Sequence, residues 1–183
     1  MTIVPSPIAG VARVETTQHT DLRGAFARFF CEQSLSAVLG GRRIVQINFS
    51  RSTKRGTVRG MHFQYAPHAE MKFVRCVRGR VWDVAVDLRD GSPTFLQWHA
   101  EELSADNASM LVIPEGCAHG FQTLEEDSEL LYLHTAAYTP EAEGGVRYDD
   151  PAIGIAWPLP ATNVSPRDAG HPCITDNFTG LRV

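Results

Sequence analysis

The stretch from Arg80 to Arg89 constrains this chain more than any other. Trp82, Val84, Val86 and Leu88 recur on one face, and Val81, Asp83, Ala85 and Asp87 on the other. A period of two sustained over this length is a strand pattern. Shorter runs of the same kind occur at Ile44–Phe49, Phe95–Leu103, Met110–Ile113, Gly120–Leu124 and Glu129–His134. Turn signals separate them, among them Asp90-Gly91-Ser92-Pro93 and Pro114-Glu115-Gly116. Only Glu32 to Leu39 has helical spacing, and Gly40 and Gly41 end it. Many close strands without βα alternation predict an all-β chain, a jelly-roll β-barrel with short helices. Proline and glycine become dense from Pro140 onward, which predicts a C-terminal arm laid over the barrel rather than a second domain, so residues 1–183 are expected to form one domain. Such sheets leave edges that pairing can cover, so a homodimer is expected.

Composition narrows the function classes. A net charge of −4 argues against a general nucleic-acid binder. No apolar run approaches the ~20 residues of a membrane span, so no membrane partner is expected. Pro5 and Pro7 interrupt the apolar start, no basic residue precedes it, and no secretory leader is expected. Cysteines 31, 76, 117 and 173 show no Cys-x-x-Cys spacing, consistent with reduced thiols and a cytoplasmic location. Against the acidic background, Arg51, Lys54, Arg55 and Arg59, then Lys72, Arg75 and Arg78, form a local basic cluster. Lys54 and Arg55 read as a solvated loop, whereas Arg59 and Lys72, set among apolar residues, read as placed anion contacts. A small phosphate-bearing ligand suits this better than a polymer.

Two histidines stand on strands. His62 shares parity with Val58, Gly60 and Gln64, while Met61 and Phe63 face the other way. Imidazole titrates near pH ~6.5, so an inward His62 is a candidate base. Arg59 has the opposite parity and can share a pocket with His62 only if Gly60 marks a bulge. Pro114-x-Gly-x-x-His119 is a tight turn followed by an inward histidine, a pattern frequent in cupin barrels. Metal-binding cupins add a His-x-His pair, but here that place reads His62-Phe63-Gln64. A metal site built on His62, Glu70 and His119 is therefore an alternative, with no metal the preferred reading.

Together these segments resemble the dTDP-4-dehydrorhamnose 3,5-epimerase family from about Val14 through Asp168. The motifs are Asp21-Leu22-Arg23-Gly24-Ala25-Phe26, Gln46-Ile47-Asn48-Phe49-Ser50 and Gly56 through Gln64. They continue with Asp83 through Arg89, Gly91-Ser92-Pro93-Thr94, Ile113-Pro114-Glu115-Gly116, His119-Gly120-Phe121 and Asp149-Asp150-Pro151. No one motif decides; their common order is specific. The resemblance implies a cupin-type jelly-roll homodimer without metal or other cofactor, acting on a nucleoside-diphosphate 4-keto-6-deoxyhexose in deoxysugar biosynthesis. By similarity, His62 would be the base with Asp168 beside it, Tyr132 the acid, and Lys72 the group near the ketone oxygen. Arg23, Phe26, Gln46, Asn48, Arg59, His119, Tyr138 and Arg167 match positions around the nucleotide, diphosphate and sugar. Arg28 stands where many members carry glutamate, so the reading covers dTDP, CDP, GDP and UDP sugars, with inversion at C3, C5 or both. A 3,4-ketoisomerase or a single-centre epimerase would use the same proton chemistry.

Overall fold

In the computed structural model, which describes residues 1–183, fourteen strands and three short helical turns alternate with tight loops. The strands are β1 (Thr2–Pro5), β2 (Ala12–Glu15), β3 (Gln18–Asp21), β4 (Gly24–Ala27), β5 (Gln46–Ser52), β6 (Thr57–Gln64) and β7 (Lys72–Arg78). They continue with β8 (Arg80–Asp87), β9 (Trp98–Ser104), β10 (Met110–Ile113), β11 (Cys117–Thr123), β12 (Ser128–His134), β13 (Glu143–Gly145) and β14 (Asn163–Val164). Helix α1 spans Ser36–Leu39, α2 spans Pro166–Ala169, and a 3-10 turn covers Pro140–Ala142.

One sheet has the order β1-β2-β10-β7-β12-β5 and the other β13-β6-β11-β8-β9, with β14 added parallel to β6. The two share no ladder, so the expected barrel is an open jelly-roll sandwich. At the place where closure would occur, residues of β5, β6 and β13 line a cavity instead.

Alternation builds three apolar layers. Val74, Cys76, Leu111, Ile113 and Leu130 of the first sheet meet Val81, Ala85, Leu103, Cys117 and Phe121 of the second. Outside the first sheet, Phe73, Val112 and Leu133 are covered by Leu35 and Leu39. Outside the second, Met61, Phe63, Val84, Val86 and Leu88 lie under Val146, Ile153 and Leu181 of the C-terminal arm. Burying each large side chain of this kind stabilises by roughly 1.5–3 kcal/mol. The arm expected from Pro140 onward is therefore the lid of a third layer.

Interior positions are not apolar along their whole length. On β7 they run Lys72, Val74, Cys76; on the antiparallel β12 they run His134, Tyr132, Leu130. His134 stands opposite Lys72, so the polar ends coincide. The same end of the sandwich receives His62 of β6 and His119 of β11, which face each other across their ladder.

Several expected boundaries move. The helix begins at Ser36, because residues 32–35 form turns, and Gly40 at φ +56° closes it. The expected Phe95–Leu103 strand begins at Trp98: Phe95, Leu96 and Gln97 bond back to Ser92, Asp87 and Thr94, and Leu96 has φ +62°. The Ile44–Phe49 run is shifted to β5, Gln46–Ser52.

Candidate active site

A cavity of about 640 Å³ opens between the two sheets and is walled on its third side by the arm. Such a volume suits a sizeable organic ligand. His62, Lys72, His119, Tyr132, His134 and Asp168 all line it.

Gly60 explains how one strand serves two parts of the wall. Between His119–His62 and Phe121–Arg59 the register of β6 against β11 shifts by one residue. That bulge turns Arg59 and His62 to the same cavity despite opposite parity. Gly60 has φ +132°, and a Cβ there would lie 2.5 Å from the Gly120 Cα. Only glycine fits at such a crossing.

Each inward imidazole meets a carboxylate. His62 Nε2 lies 2.9 Å from Asp168 Oδ1. Burial opposes ionisation of Asp168, but His62, the Gly60 N–H and the Ser165 hydroxyl outweigh it and hold the acid well below the usual carboxylate range. Ser165 caps α2 by accepting from the Asp168 N–H, which fixes that carboxylate's backbone. Because an ionised Asp168 can only accept, the fitting His62 tautomer carries its hydrogen on Nε2 and its lone pair on Nδ1. Arg167 Nη2 lies 3.2 Å from the same Nε2, and Arg167 also pairs with Glu143 at 3.1 Å. His119 Nε2 lies 2.8 Å from Asp83 Oδ1, a fully buried carboxyl that burial pushes up. His134 Nδ1 lies 2.6 Å from Glu70 Oε2.

The Tyr132 hydroxyl is 2.9 Å from Ser50 Oγ. Burial pushes its ionisation well above the ordinary phenol value, so it stays a neutral proton carrier. Its ring sits edge-on to His119 at 5.9 Å and stacks near His134 at 6.2 Å. Lys72 Nζ donates to the His62 carbonyl at 3.2 Å, tying the ammonium to the strand that carries the imidazole.

An imidazole–carboxylate pair, a phenol and an ammonium around one cavity are an arrangement able to transfer protons. The family model for dTDP-4-dehydrorhamnose 3,5-epimerase matches residues 5–176. A dTDP-4-dehydrorhamnose 3,5-epimerase from Sinorhizobium fredii is 44% identical over 170 residues, covering 92% of this chain and 87% of its own. The chain belongs to this epimerase family. Its members are isomerase-class enzymes, and so is this one. Two solved structures frame it. The epimerase from Legionella pneumophila in complex with dTDP-4-keto-L-rhamnose superposes with TM-score 0.91 at 37% identity, over 100% of this chain and 98% of that one. ChmJ, a 3'-monoepimerase from Streptomyces bikiniensis in complex with dTDP-quinovose, gives 0.86 at 34% identity, over 93% and 86%.

Within the epimerase cavity stand nine of the residues that sequence picked out: His62, Tyr132, Asp168, Lys72, Asn48, Arg59, His119, Tyr138 and Arg167. Gln46 lies just behind, donating to Asn48 Oδ1 and accepting from the Tyr138 N–H. Arg23 and Phe26 are not brought there. They sit on the separate β3–β4 hairpin, where Phe26 is 73% exposed and Arg23 pairs with Asp21. The alternative metal set also fails to assemble, because Asp168, Glu70 and Asp83 divide the partners: His62, Glu70 and His119 each belong to a different pair. The donors that do converge, within 4.8 Å, are His62, Asp168 and His171, beside the Arg167 guanidinium. A cation there would have to displace another cation. Sequence reading gave no role to Ser50, His134 or Glu143. For His134 the signal was available, since it shares a strand face with Tyr132.

Proposed function

We propose that this enzyme inverts C3, C5 or both in a nucleoside-diphosphate 4-keto-6-deoxyhexose, through an enolate, in deoxysugar biosynthesis. The observation that carries the reading is that His62, held by Asp168, shares one cavity with Tyr132 and Lys72.

His62 Nδ1 takes the proton from the carbon beside the ketone. The C–H electron pair becomes the enolate double bond, and the carbonyl pair moves onto oxygen. The Lys72 ammonium, itself buried, stabilises that oxyanion. Asp168 stabilises the imidazolium so formed. Tyr132 delivers its hydroxyl proton to the opposite face of the carbon, the carbonyl reforms, and the configuration is inverted. Ser50 is the hydrogen-bond partner of the resulting phenolate. The imidazolium and phenolate then return to their starting states through solvent. No step calls for a cofactor. In this reading Arg59, Arg167 and Asn48, all in the cavity lining, clamp the diphosphate and nucleoside, and Tyr138 stacks on the base.

The test is NMR in heavy water with dTDP-, CDP-, GDP- and UDP-4-keto-6-deoxyhexoses. Deuterium should enter at C3 or C5 with at least one nucleotide, and its absence with all of them would sink the reading. His62→Ala should lose exchange by roughly 10²–10⁴-fold. Tyr132→Phe should continue to exchange while net inversion slows. Inversion at a single centre is the second reading, favoured by the likeness to a 3'-monoepimerase; product stereochemistry separates the two.

We read the working form as a cytoplasmic homodimer. No helix is long and apolar enough to cross a membrane, and all four cysteines are free thiols. Strand β5 ends its sheet with Ile47 63% and Phe49 58% exposed, an apolar edge that a second copy would cover. In such a dimer Arg23 and Phe26 would serve the partner's site rather than their own.

A further inference from the structure

Glu70 is a buried group of the cavity that the mechanism above leaves unused. Glu70 lies in the loop between β6 and β7, and its two oxygens face different partners. Oε1 is 3.2 Å from Lys72 Nζ, and Oε2 is 2.6 Å from His134 Nδ1. All three side chains are under a tenth exposed. Burial alone would favour the neutral acid, but the His134 hydrogen bond and the Lys72 charge outweigh it and hold Glu70 below its ordinary range.

His134 has no other polar partner. Its Nε2 is buried with nothing to bond to, a cost that the fold carries in order to place Nδ1 against Glu70. Strand register makes the grouping rigid, since His134 stands directly opposite Lys72.

A carboxylate beside an ammonium cannot strengthen that ammonium's pull on an enolate; its own charge subtracts from the field. What it can supply is direction. Lysine is a point charge on a flexible four-carbon stem, and its ammonium has three N–H donors. In Lys72 one is committed to the His62 carbonyl, and the Glu70 carboxylate 3.2 Å away holds the ammonium as an ion-pair partner. We propose that Glu70, clamped by His134, is a positioning residue that holds Lys72 so that a free N–H meets the ketone oxygen of the substrate. The inference rests on the functional reading above and adds to it the residues that aim the oxyanion donor.

The experiment compares Glu70→Ala and Glu70→Gln in wild-type and Lys72→Met backgrounds, reading kcat, KM and the NMR exchange rate. Glu70→Ala should lower kcat roughly tenfold to a hundredfold, less than the loss of a whole oxyanion donor, with KM within about threefold. Glutamine can still accept from Lys72 and bond His134, so Glu70→Gln should recover most of the rate. In the Lys72→Met background Glu70→Ala should add nothing. The proposal is overturned by a wild-type kcat in Glu70→Ala, by a glutamine variant as impaired as the alanine one, or by an undiminished effect without Lys72. Should Glu70→Ala show no cooperative melting, His134→Ala decides. A lowered kcat that again depends on Lys72 supports the proposal, and an unchanged kcat overturns it. If the wild-type enzyme exchanges with no nucleotide sugar, the functional reading has failed instead, so the two failures are distinct.

Discussion

Asp83 and Asp87 stand on the same strand, on the same interior face, and neither has any exposed surface. Their surroundings drive them in opposite directions. Asp87 collects the Arg89 guanidinium and backbone N–H, the Ser92 hydroxyl and the Thr94 hydroxyl, at 2.5–3.0 Å. Burial resists its ionisation, but these donors outweigh it and bring the acid down to about 2. Asp83 has His119 on one oxygen and nothing on the other, and burial pushes it up. A carboxylate with all its lone pairs used fastens a turn. One left half-satisfied costs stability and is retained for what it does to its neighbour, here the orientation of a cavity histidine.

That contrast can be broken by asparagine at each position. The largest effect is expected from Asp83→Asn, which should lower kcat/KM by about a hundredfold as His119 loses its anionic partner. Its melting temperature should stay level or rise, because the variant no longer buries a half-satisfied carboxylate. Asp87→Asn should behave in the reverse sense. A loss of about 2 kcal/mol would lower the melting temperature by roughly 4–8 °C at neutral pH, with kcat of the folded enzyme nearly unchanged. A fall in melting temperature for Asp83→Asn, or in kcat for Asp87→Asn, would erase the distinction.

The smallest effect sharpens it through pH. The folded-state value of Asp87 lies below the unfolded one, so its contribution is fully present above about pH 4 and fades as pH falls toward about 2. The melting-temperature gap between wild type and Asp87→Asn should therefore close over that window. For Asp83 the folded value lies above the unfolded one, so the ionised group is a liability that grows as pH rises from acid. Asp83→Asn should gain on wild type as pH rises from 4 to 7, in paired thermal melts.

These two residues also show what a sequence can disclose. The alternation that identifies β8 sets Asp83 and Asp87 on one face with Val81 and Ala85, and the fold turns that face inward; the bulge anticipated at Gly60 is present because parity left no other way to bring Arg59 beside His62. Local pattern carried those conclusions. Where distant segments meet, it carried less. Glu70 and His134 are brought together only by the pairing of β7 with β12, and no periodicity encodes that register. The propensities of Phe95 and Leu96 point to strand, whereas the shape of the Ser92–Gln97 turn is imposed by Asp87. Arg23 and Phe26 matched the family by residue type, but their hairpin stands clear of both sheets and of the cavity in the same chain.

The crossing of Gly60 and Gly120 has a consequence for how this enzyme could change. Without room for even one methyl group between the strands, the wall that carries the imidazoles is inelastic. The third side is assembled from Tyr138, Glu143 and the 163–167 segment, held by side-chain hydrogen bonds and by the short strands β13 and β14. Altered substrate preference, whether by drift or in a selected library, should accumulate on that softer side while the glycine seam stays fixed.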